Sequence, residues 1–237
     1  MINTFPNFFK GLAVLLLSFA FEACGQASTT ALKPVEFASQ IQQGNIQLLD
    51  VRTATEFQRF RLNDALHADW YRQAEFKERT KYLETDKPVY VYCLTGVRSA
   101  KAAQALAAKG FKVYEMDGGL NFWRRAGLPV EEIETEQQIS LEDYKNLLPE
   151  KGYVLVDFGA KWCPPCKVMD PKIEALAQKN KDLFYLVKID GGIQTDILKK
   201  LNVQSFPTLI VYKDGVEVWR KEGLSSDEEI LAQMKNP

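Results

Sequence analysis

Short apolar runs alternate with segments of helical period along this chain, and the rhythm breaks once. Val35-Glu36-Phe37-Ala38-Ser39-Gln40-Ile41 spaces its apolar residues as one helix face does. Ile46-Gln47-Leu48-Leu49-Asp50-Val51 and Pro88-Val89-Tyr90-Val91-Tyr92 are short apolar runs of the kind buried strands need. Ser99 to Lys109 predicts an alanine-rich helix ended by Gly110, and Phe111 to Met116 a third strand. Strands alternating with helices predict a parallel sheet with helices on both faces. The break comes at Leu128-Pro129-Val130-Glu131-Glu132-Ile133-Glu134-Thr135-Glu136, with a proline, many like charges and few apolar groups. The rhythm then restarts. Leu141 to Leu148 predicts a short helix, Tyr153 to Phe158 a buried strand, Lys172 to Asn180 the continuation of a helix and Leu183 to Ile189 a strand. Thr208–Tyr212 and Val216–Trp219 flank Lys213-Asp214-Gly215, a hairpin signal. The pattern predicts an α/β protein of two domains, 31–130 and 140–237, joined by a linker at 131–139. A length of 237 residues suits two domains of about 100 residues each.

The first 24 residues read as an address rather than as fold. Lys10 precedes an apolar run from Gly11 to Phe21 that ends at Glu22. The run is short of the roughly 20 residues a spanning helix needs, and a basic residue before a short apolar run is the pattern of an export signal. Ala23-Cys24-Gly25 after it resembles the lipobox of bacterial lipoproteins, with Phe21 where leucine is common and Glu22 as an unusual charge. The resemblance implies a periplasmic protein lipidated at Cys24 and tied to a membrane only by that anchor. The alternative is cleavage near Ala27 and a soluble periplasmic protein.

Composition narrows the chemistry. The formal net charge is −1, so nothing favours nucleic acid or anionic lipid at large. A single histidine, His67, leaves no metal site to expect, and no cofactor motif appears. His67 reads as a packing residue. Reactivity must come from cysteines, carboxylates and arginines. The four cysteines, Cys24, Cys93, Cys163 and Cys166, sit in three separate places, which is not a disulfide framework.

Cys93-Leu94-Thr95-Gly96-Val97-Arg98-Ser99 lies between a predicted strand and a helix start. Such a loop aims backbone N–H groups and a positive dipole end at one point. A thiolate or a persulfide on Cys93 would be held there, with Gly96 turning the loop inward and Arg98 adding charge. With Leu48-Leu49-Asp50-Val51-Arg52, Glu56-Phe57, Met116-Asp117-Gly118-Gly119-Leu120 and Trp123, this stretch of about 100 residues resembles a rhodanese domain. The resemblance implies that Cys93 carries a sulfane sulfur, that Arg98 and the loop from Leu94 to Val97 cradle it, and that Asp50 and Arg52 are a structural pair. Phe60-Arg61-Leu62-Asn63-Asp64-Ala65 departs from the family's Gly-His-Ile-Pro-Gly-Ala. Four residues between Cys93 and Arg98, where the related dual-specificity phosphatases have five, suit sulfur better than phosphate. The bland alternative is a buried core cysteine in a binding module.

Trp162-Cys163-Pro164-Pro165-Cys166-Lys167 follows the second domain's first strand. Two cysteines three apart at a helix start meet on one side of its first turn, with Cys163 expected exposed near the N-cap and Cys166 inside. The two prolines fall where missing N–H groups cost no helical bonds. With Val156-Asp157-Phe158 and Phe206-Pro207-Thr208, the remainder of the chain is similar to thioredoxin, which implies a central mixed sheet flanked by helices. The resemblance further implies a redox disulfide in which Cys163 attacks and Cys166 resolves. Asp157 moves a proton, Lys188 pairs with Asp157, and Trp162, Phe206 and a cis Pro207 shape the substrate groove.

Together these imply an exported thiol–disulfide oxidoreductase coupled to a persulfide carrier, with sulfide as a product. Its partners are a sulfane-sulfur donor (persulfide or thiosulfate), protein thiols or disulfides, and an electron donor for the dithiol. Two other readings stay open: a disulfide reductase whose rhodanese-like domain only recognises a partner, and a redox sensor or scaffold without turnover.

Overall fold

The computed structural model describes Met1, residues 29–132 and residues 137–234. The export segment, Cys24 and the centre of the linker lie outside the described residues. In the first half the order is β1 (Thr29–Leu32), α1 (Pro34–Ile41), β2 (Gln47–Asp50), α2 (Ala54–Arg59), β3 (Phe60–Arg61), β4 (Leu66–His67), α3 (Gln73–Thr80), β5 (Val89–Tyr92), α4 (Val97–Ala107), β6 (Val113–Met116), α5 (Gly119–Arg125) and β7 (Glu131–Glu132). Five of these strands form a sheet in the order β1-β6-β5-β2-β4, parallel at each pairing. Alternation along β5 divides the core. Tyr90 and Tyr92 face one side with Leu48, Phe37 and Leu120, whereas Val89 and Val91 face the other with Leu49, Ala102 and Leu106.

The second half runs α6 (Leu141–Asn146), β8 (Tyr153–Gly159), α7 (Pro164–Lys179), β9 (Phe184–Asp190), α8 (Thr195–Lys200), β10 (Thr208–Lys213), β11 (Val216–Glu222) and α9 (Asp227–Ala232). Its sheet, β11-β10-β8-β9, is mixed: β8 and β9 are parallel, and β10 runs antiparallel to both its neighbours. Val154, Val156 and Phe158 pack toward α6 and α8, while Leu155 packs with Met169, Ile173 and Leu176 of α7. Asp157 belongs by alternation to this α7 side, beneath the dithiol. Among the described residues no helix is long and apolar enough to cross a membrane.

Two expectations change. Thr29 and Thr30, outside the domain expected from residue 31, begin the edge strand β1. Glu131 and Glu132, assigned to the linker, pair antiparallel with Phe60 and Arg61 and close the first domain. The helix expected to start at Cys163 and to continue through Asn180 spans Pro164–Lys179, with Cys163 as its N-cap. Pro171 lies inside it and, having no N–H, withholds one bond from the helix ladder.

Asp50 and Arg52 are both fully buried and joined by paired hydrogen bonds, Nε to Oδ2 at 2.8 Å and Nη2 to Oδ2 at 2.6 Å. Arg52 also donates to the Phe60 carbonyl at 2.6 Å, so the pair fastens the end of β2 to the chain entering β3.

Candidate functional site

The loop after β5 returns to Gly96, whose φ of 91° is open to glycine, and α4 starts at the next residue. The return places the Cys93 sulfur under the helix start. Gly96 N–H donates to Cys93 Sγ at 3.2 Å, and Ser99 Oγ lies 3.5 Å from the same sulfur. The single Ser99 hydroxyl proton also has the Gly96 carbonyl at 2.9 Å and Glu115 Oε1 at 3.0 Å as alternative acceptors. Burial raises the Glu115 carboxyl above its ordinary range. Leu94 and Gly96 are half-buried, Thr95 and Val97 exposed, and Cys93 fully buried.

Gly118 and Gly119 give this loop its floor. Leu120 N–H donates to the Cys93 carbonyl at 2.9 Å and Asn121 N–H to that of Leu94 at 3.0 Å. A methyl group on Gly119 would stand 2.5 Å from the Cys93 carbonyl oxygen, so α5 approaches this closely only because the position is glycine.

Arg98 is not the free cradle charge the loop suggested. Its Nη1 and Nη2 each donate to a Glu56 carboxylate oxygen at 2.7 Å. Glu56 is already held by the capping box with Thr53, and Arg98 foremost lowers its pKa to about 2. A bidentate carboxylate is a better partner for a guanidinium than a single sulfur atom. The Gly96 N–H and the Ser99 hydroxyl are therefore the groups on the Cys93 sulfur.

Cys163 is the N-cap of α7, and its sulfur accepts the Cys166 N–H at 3.3 Å. The two cysteines are joined as a disulfide. Pro164 and Pro165 fill the first turn, and Pro207, in a cis peptide with Phe206, is buried nearby. A methyl group on Gly159 would stand 3.6 Å from Cys166 Sγ and 3.8 Å from Asp157 Oδ1, so the Cys166 sulfur and the buried carboxyl both flank Gly159. Asp157 and Gly159 line an open cavity of about 310 Å³ together with Asp170 and Lys188.

Lys188 does not hydrogen-bond Asp157. Its ammonium goes to Glu174 at 2.7 Å and Asp170 at 3.6 Å, because those carboxylates lie nearer solvent. Both Asp157 oxygens are buried with no donor on them. Burial, and then repulsion from Asp170, pushes its pKa up to about 7 against the pull of Lys188.

The folded chain therefore keeps a proton on Asp157 between about pH 4 and pH 7 that the unfolded chain has lost, and stability falls as pH rises through that window. His67 imposes an opposite slope. Burial first, and then the charge of Arg79, holds it down to about 3, so acid below about pH 6.5 favours the unfolded chain. Comparing the parent with Asp157→Asn by urea unfolding from pH 4 to 8 isolates the first effect. The variant should gain on the parent by on the order of 3 kcal/mol as pH rises from 4 to 7. A difference independent of pH would contradict this.

Cys163, expected exposed, is fully buried, and Trp162 retains 9% of its surface. The cover is the first domain. Trp162 packs edge-on to Phe57 and His67, at ring separations of 5.5 and 5.4 Å, and the Arg79 guanidinium lies 5.1 Å over its ring. The His67 N–H donates to the Trp162 carbonyl at 2.9 Å. Phe206 touches Trp162 from the other side at 5.7 Å. His67 is a neutral packing residue, as read from the sequence. Its Nε2–H donates to the Arg52 carbonyl at 2.9 Å and its Nδ1 accepts from Arg79 at 3.1 Å. Arg79 carried no signal in the sequence, since it comes from a mostly polar helix more than eighty residues before the dithiol. Among the described residues no group of three or more potential ligands could hold a metal ion.

Comparison with known proteins agrees with both halves. Residues 33–126 match the rhodanese-like domain family, and residues 135–236 match the thioredoxin family. Thioredoxin of Chlamydia trachomatis is 38% identical over 95 residues, 40% of this chain and 91% of that protein. Thioredoxin of Bacillus subtilis is 38% identical over 96 residues, 40% of this chain and 86% of that protein. Among solved structures, a rhodanese-related protein of Thermoplasma volcanium is 28% identical at a TM-score of 0.40, covering 44% of this chain and 99% of that one. The chain is thus a rhodanese-like domain followed by a thioredoxin domain, and through the second it belongs to the thioredoxin family.

Proposed function

We propose that this thiol redox protein transfers a sulfane sulfur from Cys93 to the Cys163–Cys166 dithiol and releases it as sulfide outside the cytoplasm. The observation that carries the reading is the Cys93 sulfur at the focus of its loop, with the Gly96 amide at 3.2 Å and the Ser99 hydroxyl at 3.5 Å, in a chain that also holds a redox disulfide. The Cys93 thiolate attacks the outer sulfur of a donor persulfide, the donor S–S bond breaks, the donor's thiolate leaves, and Cys93–S–S⁻ forms. The Cys163 thiolate then attacks the terminal sulfur, and the Cys93 thiolate leaves. Cys166 attacks the inner sulfur of the Cys163 persulfide, the Cys163–Cys166 bond forms, and HS⁻ departs. The dithiol loses two electrons and the sulfane sulfur gains them. A thiol reductant then restores the dithiol. Covalent linkage of the domains raises the frequency of the central encounter. Arg98 bonded to Glu56 leaves the loop little net charge, which favours a persulfide donor over dianionic thiosulfate. The apolar run before Cys24 supports export, with Cys24 as the lipid anchor.

Reduced protein given glutathione persulfide should release one sulfide per chain in a single turnover. Cys93→Ser and Cys163→Ser should each abolish that release. The complete burial of Cys93 favours a second reading, disulfide reduction with the first domain as a recognition module. That reading holds if neither substitution changes the sulfide released.

A further inference from the structure

The partner seated on the dithiol is the chain's own first domain. Strand β4 is the edge of the five-stranded sheet, and an open strand edge presents unpaired N–H groups. Here the outward N–H of His67 is taken by the Trp162 carbonyl, the residue immediately before Cys163. Leu62 and Ala65 join Trp162, Cys163 and Cys166 in one continuous buried cluster with Phe57 and Tyr92. Arg79 completes the clamp, ion-paired to Glu75 at 2.8 Å and bonded to the His67 carbonyl at 3.1 Å while lying over the indole. Leu62 and Ala65 come from the Phe60–Ala65 segment that departs from the rhodanese pattern. The departure thus falls where the second domain docks. Two open cavities of about 410 and 350 Å³ flank the contact, one reaching Trp162 and Lys161, the other Pro165 and Phe206. Neither uncovers Cys163, which stays fully buried between them.

We infer that the rhodanese-like domain gates the disulfide: in the closed arrangement its β4 edge, with His67 and Arg79, seals Cys163, and thiols react with the disulfide only after this contact opens. Thiol–disulfide exchange requires the attacking sulfur to reach Cys163 Sγ along the S–S axis, and a covered sulfur cannot be reached. The rate in the closed protein is then the intrinsic rate multiplied by the open fraction. The inference needs only that Cys163–Cys166 is the redox disulfide, and not that sulfur passes from Cys93.

The test is the rate at which dithiothreitol reduces the disulfide of the oxidised full chain. One dithiothreitol sulfur attacks Cys163 and Cys166 leaves as thiolate; the second dithiothreitol thiol then frees Cys163 and closes the reagent's own ring. Samples are acid-quenched, unfolded and labelled with a maleimide polymer, so that reduction appears as two added labels. The native chain should react at least tenfold more slowly than the same chain unfolded in urea. Arg79→Ala, which removes the guanidinium from Trp162, and Ala65→Arg, which wedges the contact, should each restore at least tenfold. A native rate within twofold of the unfolded one overturns the gate, and so do folded variants no faster than the parent. Should the variants not fold, the parent in urea below its unfolding transition decides. A gate predicts a rate rising steeply with urea while near-UV dichroism is still native, and a flat rate overturns it. Sulfide release plays no part in this readout, so the gate and the sulfur relay fail separately.

Discussion

A chain carrying Cys163→Ser is expected to reduce a protein disulfide such as that of insulin about a thousandfold or more slowly than the parent. Cys163 caps α7, and its sulfur accepts the Cys166 N–H at 3.3 Å at the positive end of a 16-residue helix. An anion there is favoured, and thiolate is the form that attacks a disulfide. A serine hydroxyl at the same cap would satisfy the same amide and keep the helix start, so the loss would be chemical. Cys166→Ser should differ in kind. Cys163 can still attack, but without its resolving partner it should accumulate as a mixed disulfide visible on a non-reducing gel. Cys93→Ser should leave insulin reduction unchanged, because its sulfur serves the other domain. Retention of more than a tenth of parental activity by Cys163→Ser would remove Cys163 from its role.

The second large effect is on stability. Asp50→Ala is expected to destabilise the rhodanese-like domain by about 3–5 kcal/mol, lowering its melting temperature by about 10 °C or more. The cost comes from what is left behind. Arg52 is fully buried, its Nη1 already lacks a partner, and Asp50 is the carboxylate against it at 2.6 Å. Removing that carboxylate strands a guanidinium in an apolar setting, where burial without a counter-charge is costly. The Arg52 bond to the Phe60 carbonyl would remain, and the Phe60 and Tyr92 rings would still flank its charge at 4.9 and 5.9 Å. Thermal unfolding followed in the far-UV measures the shift. A double substitution, Asp50→Leu with Arg52→Met, should recover much of it, since an apolar pair of similar volume avoids the stranded charge.

How legible the molecule was depended on whether neighbours in space were neighbours in sequence. β2, β5, β6, β8 and β10 announce themselves because strands inside a sheet are largely buried on both faces and so are mostly apolar. β1 gave no such signal, since three of its four residues are exposed at an edge. Helix α3, Gln73-Ala74-Glu75-Phe76-Lys77-Glu78-Arg79-Thr80, shows one large apolar residue and no stripe. The Cys93 loop and the Cys163–Cys166 pair were visible because each is local, built within a few residues of one helix start. The Glu56 partner of Arg98 lies 42 residues away. The cover over Trp162 draws on Phe57, His67 and Arg79, each at least eighty residues distant and each explicable as ordinary core or surface. Only the docking of one domain on the other shows what these side chains do together, and it turns a cysteine expected at the surface into a buried one.

The sulfur relay is tested most directly by running the single-turnover reaction with glutathione persulfide and reading it on the protein by intact mass. The reduced parent should finish with Cys93 unmodified and Cys163–Cys166 oxidised, whereas Cys163→Ser should finish with one sulfur atom of added mass on Cys93 that persists. If instead the Cys163→Ser protein gains no sulfur on Cys93, or loses it as fast as the parent does, sulfur does not pass from Cys93 to this dithiol.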